Sequence, residues 1–391
     1  MKGAHEMKRF SAIAALLATA AFAFASEELD VYTWIYRASI SPAERFAVLK
    51  NVAEAEIPGA GELYAEALSQ LLIEFPNLKT VSERESADST ARLLADLLGE
   101  AKYAAAATDL WRIVQTFSNP LVKADALIAI GRTRSEDLFE QVARTLQDLN
   151  LRPTSDPESG ERIAYGALLA LEKYRKIEGF PPVFFASTGW YSRRVRDQAA
   201  ATLPLIADDP TQALEGIMRQ GDSNVKLLAL QTEDASKAGA AAKSAFAALA
   251  LSEGWTSATS DVKERQILAN LRKLSMAVMQ RSGVTSSAIP LLDRSYREGI
   301  DMEEKLSAIS ALAAGRSDDA ALVLASALMK LNERRRADAT TQDDERIVRA
   351  VIPALGATGS VKGRPALQAV ENMDWTNAVK VLAGEALKKL K

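Results

Sequence analysis

Along residues 119–137, NPLVKADALIAIGRTRSED, apolar side chains fall at Val122, Leu127 and Ile130, which stand nine, four and one positions before Gly131. The frame returns twice, with Leu306, Ala311 and Ala314 before Gly315 and with Ile347, Ile352 and Leu355 before Gly356. Offsets of five and then three keep these side chains on one side of a helix with 3.6 residues per turn, so each stretch predicts an amphipathic helix. The glycine is expected to end that helix, because it alone takes a left-handed C-terminal conformation without steric cost. A second helix should follow, as in EDLFEQVARTLQDL from Glu136 to Leu149. Gly315 and Gly356 are 41 residues apart, inside the range of helix-pair repeats.

A second recurrent element is a proline in an apolar setting: Leu203-Pro204-Leu205-Ile206, Ile289-Pro290-Leu291-Leu292 and Ile352-Pro353-Ala354-Leu355. Proline inside a helix costs about 3 kcal/mol, so three occurrences suggest a tolerated, repeated kink. On these residues the chain resembles the HEAT-repeat family, whose members stack helix pairs with a Pro-bent first helix and often an Asp in the turn. LPLIADDP, from Leu203 to Pro210 with Asp208 and Asp209, matches that turn best. The apolar-basic-Ala signature of the second helix stands at Val122-Lys123 with Ala126 and Ala129. The resemblance spans residues 85–391, is weak between 232 and 285, and departs from the family in its irregular spacings and in the missing Asp after Pro353. It implies an all-α solenoid of stacked helix pairs. The 34-residue TPR class is disfavoured, since its Trp, Tyr and Gly are not found at their fixed places.

The ends read as closing elements. Residues 26–84 are expected to form an N-terminal helical cap, with a capping box and first-turn proline at Ser41-Pro42-Ala43-Glu44 and a break at IPGAG. WTNAVKVLAGEALKKLK, from Trp375 to Lys391, is the predicted last helix, its lysines well placed at the C-terminal end. Residues 1–25 stand apart. Lys8 and Arg9 precede a short apolar run, and Ala23 and Ala25 precede Ser26, the pattern of a cleaved secretory signal; Met7 is a plausible start. The expected mature chain begins near Ser26 and acts in the periplasm.

Composition changes the picture mainly by exclusion. Apolar residues make up 48% and Gly and Pro number 20 and 13, which favours a packed, helical chain over disorder. Loss of residues 1–25 would leave 45 basic and 50 acidic residues, a net charge of −5. It would also remove His5, the one histidine, from a chain with no cysteine. A Ser-His-Asp triad, a cysteine nucleophile and zinc sites built on imidazole or thiolate are then unavailable. Gly59-Ala60-Gly61 lacks the third glycine of a dinucleotide loop, and Gly359-Ser360-Val361-Lys362 lacks the spacing of a phosphate loop. Ser223-Asn224-Val225-Lys226 and Ser260-Asp261-Val262-Lys263 fit Ser-x-x-Lys, without the Lys-Thr-Gly that accompanies it in penicillin-recognising enzymes. No catalytic residue, metal site or cofactor is expected. Acidity and export also oppose nucleic acid as a partner. Arg334-Arg335-Arg336 reads as a helix C-terminus facing Asp343 and Asp344 across a loop, or as a contact for an acidic partner.

The stretch YRKIEGFPPVFFASTGWYSRR, from Tyr174 to Arg194, breaks the pattern. It gathers six aromatic residues around Pro181-Pro182 and reads as an insertion over residues 175–191. Two readings stand: rings that fill the gap between repeat blocks, or an anchor for a protein partner through Phe180, Phe184, Phe185, Trp190 and Tyr191, rimmed by Arg193, Arg194 and Arg196. The function expected is a non-enzymatic periplasmic scaffold or adaptor that binds a protein partner of an envelope assembly such as secretion, cell-wall or flagellar machinery. The alternative is a binding module for a periplasmic peptide or envelope glycan.

Overall fold

The computed structural model describes residues 27–153, 155–256 and 259–390; the candidate signal segment, residues 1–25, lies outside them. Among the described residues the chain forms twenty α-helices and no strand. They fall into two compact units, divided in the sequence after Ala207.

The first unit holds α1 (27–38), α2 (Pro42–Glu54), α3 (Gly61–Glu74), α4 (Val81–Glu100), α5 (Ala107–Thr116), α6 (Pro120–Thr133), α7 (Phe139–Leu151), α8 (Pro157–Tyr174), α9 (Phe180–Thr188) and α10 (Arg193–Ile206). The second holds α11 (Thr211–Gln220), α12 (Ser223–Ala235), α13 (Ala240–Thr256), α14 (Val262–Ser282), α15 (Ile289–Glu298), α16 (Met302–Gly315), α17 (Asp318–Arg336), α18 (Gln342–Thr358), α19 (Arg364–Glu371) and α20 (Asn377–Leu387).

Each unit is built from helix pairs, α3 with α4 through α9 with α10 and α11 with α12 through α19 with α20. Even-numbered helices also pack on the next even helix, as in α4, α6, α8 and α10 or α12, α14, α16, α18 and α20. The result is an all-α helical repeat architecture. Its period is visible in the polar bonds between neighbouring pairs, which join residues 39 to 43 apart: Ser69 to Asp109, Tyr174 to Ser135, Trp190 to Leu149, Ser223 to Glu264, Trp255 to Ser295, Ser360 to Asp318 and Trp375 to Asn332.

Local signals set the helix starts. Ser41 and Glu44 form the expected capping box on α2, and Thr80 with Glu83 and Thr341 with Asp344 form two more. The second box begins α4 at Val81, so the cap boundary read after residue 84 falls inside a helix that packs like the rest of its row. Odd helices start differently. A single 3-10 turn leads into α9, α15 and α19, each with proline in its first turn: Phe180-Pro181-Pro182, Ile289-Pro290 and Arg364-Pro365. Proline lacks only an amide that the first turn leaves unpaired anyway. Pro204 and Pro353 do sit inside α10 and α18, whereas Pro290 is a helix start and not a kink.

The frame glycines also differ from expectation. Gly131 and Gly356 lie inside α6 and α18, and Gly315 is the last residue of α16. The left-handed residues are Arg134, Arg316 and Gly359, with φ of 53°, 45° and 73°. Gly131 and Gly356 serve packing. A Cβ at 356 would lie 2.8 Å from the Ala386 Cα of α20, and one at 131 would overlap the Ala170 Cα of α8. Gly166 answers from α8, where a Cβ would lie 2.7 Å from the Ala124 Cα of α6. Even helices therefore approach backbone to backbone at these points, which only a residue without a side chain allows.

The stretch 175–191 is likewise no insertion. It is a 3-10 turn and α9, an odd-row helix that pairs with α10 and packs on α7.

Candidate functional site

The seven residues assigned to a partner do not form one surface. Phe180, Phe184 and Tyr191 are core side chains, 1%, 0% and 3% exposed, so no partner reaches them in the folded unit. Trp190 is half-buried and donates from Nε1 to the Leu149 carbonyl at 2.9 Å, while the Tyr191 hydroxyl donates to Asn150 Oδ1 at 2.9 Å. Asn150 Nδ2 in turn donates to the Pro182 carbonyl at 2.9 Å. The rings thus fasten α9 to the end of α7 within the regular helix rows. Phe185, Arg193 and Arg194 remain outside, with Arg193 paired to Asp197 one helical turn along α10. Arg196 is also exposed.

Arg194 is the residue of that set that lines a cleft. Helices α6, α8 and α10 enclose about 440 Å³, with Ala124 and Ile128 from α6, Tyr165 from α8 and Val195 from α10. The Arg194 guanidinium stands 4.9 Å from the centre of the Tyr165 ring, a cation–π arrangement. Charged walls are largely compensated: Arg162 pairs with Glu158, Asp125 with Arg92 at 2.6 Å, and Glu161 accepts from the Ser192 amide at 2.6 Å. The cleft therefore offers the Tyr165–Arg194 pair beside the apolar side chains of α6 and α10.

A larger cleft of about 750 Å³ lies in the second unit between α15, α16, α17 and α18. Its charges are mixed. Asp293 pairs with Arg297 at 2.8 Å, and Arg334 pairs with Asp344 at 3.0 Å, across the loop as the sequence suggested. Burial, and then Asp344 and Asp293, push the Tyr296 hydroxyl above the usual tyrosine value. Arg335 donates to the Asp374 carbonyl at 2.7 Å and stands 5.4 Å from the Trp375 ring centre, so the basic run knits α17 to the start of α20.

Sequence reasoning missed the buried charges. Arg272 of α14 and Glu304 of α16 form a bidentate pair with side-chain exposures of 5% and 0%. Lys226 and Glu253 form another at 2.7 Å. It also passed over Val31, Trp34 and Ile35 on α1, where a helical spacing of three and four leaves Trp34 71% exposed. Among the described residues no group of three or more His, Cys, Asp or Glu is placed to hold a metal ion, and no helix is long and apolar enough to cross a membrane.

No protein-family model matches the chain, and no curated protein matches it.

Proposed function

We propose that this chain is an exported, non-enzymatic scaffold of the HEAT-like kind, which holds a protein partner of a cell-envelope assembly in the α6–α8–α10 cleft. One observation carries the reading: the Arg194 guanidinium already lies over the Tyr165 ring at that cleft. Tyr and Arg dominate the energetics of protein interfaces, and a pair already fixed loses little entropy on binding. The 39 to 43 residue period and the prolines inside α10 and α18 support the HEAT-like assignment. The basic run and apolar stretch of residues 7–25 support export.

The experiment is a pull-down from envelope extract with the wild-type chain and with Tyr165→Ala/Arg194→Glu. A defined protein retained by the wild type at near-stoichiometric level and lost by the variant is the expected result. Equal retention by both moves the partner off this cleft and refutes the assignment. Retention of a glycan polymer in place of a protein replaces it with a polymer-binding module.

A further inference from the structure

A second cavity, on another face of α6, has a different chemistry. Helices α5, α6, α7 and α8 surround about 610 Å³, within the range of small-ligand cavities. Its walls are Trp111, Val114, Leu149, Leu151 and Ile163, and Lys123 reaches in from α6. Leu151 is 71% exposed at the mouth. The Leu149 wall is held by its bond to Trp190, so the aromatic stretch stiffens this cavity without entering it.

Lys123 is half-buried, and among the described residues its ammonium has no hydrogen-bond or ion-pair partner. Lys226, Lys273 and Lys243 do: Lys226 pairs with Glu253, Lys273 with Asp301 and Glu303, and Lys243 donates to two backbone carbonyls; among the described residues the half-buried Lys305 and Lys380 share the lack of a side-chain partner. Burial alone, with no carboxylate to oppose it, holds the Lys123 ammonium below its ordinary value. Asp148 lines the same cavity, outside ion-pair distance of Lys123, and Arg152 sits beside it. Two cations against one carboxylate leave the lining with a single net positive charge. A polyacidic segment does not fit that balance. One carboxylate beside one apolar side chain does.

We infer that this cavity binds the C-terminal end of a peptide whose last residue is apolar, with the terminal carboxylate on Lys123 and the side chain against Trp111 and Leu151. A charge-assisted bond forms in a site where water is already partly excluded, which strengthens it over its value in solvent. The site is separate from the Tyr165–Arg194 cleft, and neither requires the other.

The test follows the Lys123 side-chain NMR signal in the full chain, assigned by its loss in Lys123→Met. The probes are N-acetylphenylalanine, its amide, and N-acetyl-glutamyl-phenylalaninamide, which carries the carboxylate on a side chain. N-acetylphenylalanine should saturate at millimolar concentration, move the Lys123 signal and raise its titration midpoint. The amide and the Lys123→Met chain should each bind roughly tenfold or more weakly, the loss expected of a hydrogen bond to a charged group. Equal binding of the amide overturns the carboxylate contact. Stronger binding of the glutamyl probe overturns the chain-end assignment, and no saturation by any probe overturns the site. If Lys123→Met fails to fold, the comparison of acid with amide on the wild type still decides.

Discussion

Glu304→Ala should be among the most destabilising single changes in the second unit. Arg272 Nε meets Glu304 Oε1 at 2.5 Å and Nη2 meets Oε2 at 3.0 Å, while Nη1 donates to the Gly254 carbonyl at 2.8 Å. The guanidinium also lies 4.0 Å from the centre of the Trp255 ring, with Arg294 at 4.5 Å from the same centre. Glu304 accepts from the Ile300 amide at 3.1 Å and stands in the first turn of α16, where the helix dipole favours a negative charge. Removing the carboxylate deletes two charge-assisted bonds and leaves Arg272 buried with only Gly254 and Trp255 as company. Breaking one side of a buried pair costs about 3 to 5 kcal/mol. For a cooperative unit of this size that is a fall of roughly 6 to 20 °C in melting temperature. Removing both charges is different. Arg272→Met/Glu304→Leu fills the space with apolar atoms and strands only the Gly254 carbonyl and the Ile300 amide, so its cost should stay at about 1 to 2 kcal/mol. Urea unfolding of the wild type, both single variants and the double variant, followed by circular dichroism, completes the cycle. A single-variant cost under about 1 kcal/mol, or a double cost equal to the sum of the singles, would refute the reasoning.

Three further outcomes follow from packing and burial. Gly131→Ala should destabilise by about 1 to 3 kcal/mol because its methyl group overlaps Ala170, whereas Gly384→Ala, with nothing within 4 Å of the new Cβ, should stabilise by about 0.5 to 1 kcal/mol; paired urea titrations separate the signs. Phe184→Ala should lower stability by about 3 to 5 kcal/mol as a core cavity, while Phe185→Ala on the exposed side should cost far less, and equal losses in thermal melts would contradict the burial pattern. Glu233 is fully buried, accepts from the Thr211 hydroxyl at 2.8 Å and leaves Oε2 without a partner. Burial chiefly, opposed by Thr211 and reinforced by Asp209, raises its carboxyl above the ordinary 4.5. The folded state then holds its proton more tightly than the unfolded state, so this contribution is whole below about pH 4.5 and is lost as pH rises through the folded value. Glu233→Gln should therefore gain on the wild type as pH rises above about 4.5, and parallel stability curves would show that the group does not titrate as argued.

The repeat was legible because the 3.6-residue period survives every change of side chain that keeps a face apolar. Val122, Leu127 and Ile130 are all fully buried, as their spacing required. What misled was the glycine. In sequence, a close backbone approach and a left-handed cap leave the same mark, and Gly131 answers the first while Arg134 takes the second. A left-handed arginine has no signature of its own. Residues 175–191 looked foreign for a related reason. Pro181 and Pro182 read in sequence as chain breakers, although Ile289-Pro290 and Arg364-Pro365 start odd helices in the same way. The faint stretch from 232 to 285 is the pair α13 and α14, whose facing sides bury Arg272 and Ser275 where the pattern asks for apolar residues.

Partner sites depend on a property that spacing does not encode, namely which charges are left over once the fold has paired the rest. Val122-Lys123 looks like an ordinary repeat signature, with the basic residue turned to solvent. Its distinction arises because α5, α7 and α8 bring apolar side chains around the ammonium and no carboxylate within bonding distance. Arg194 is the converse case. Six aromatic residues nearby suggest an anchor, yet the ring it uses is Tyr165, two helices earlier and outside the conspicuous stretch. In a repeat protein each helix repeats its neighbour's packing, so the informative residues are those whose polar groups the packing leaves unanswered. Lys123 meets that condition, and the buried Arg272, answered on three sides, does not. The first is therefore a place to seek a ligand, and the second a place to measure stability.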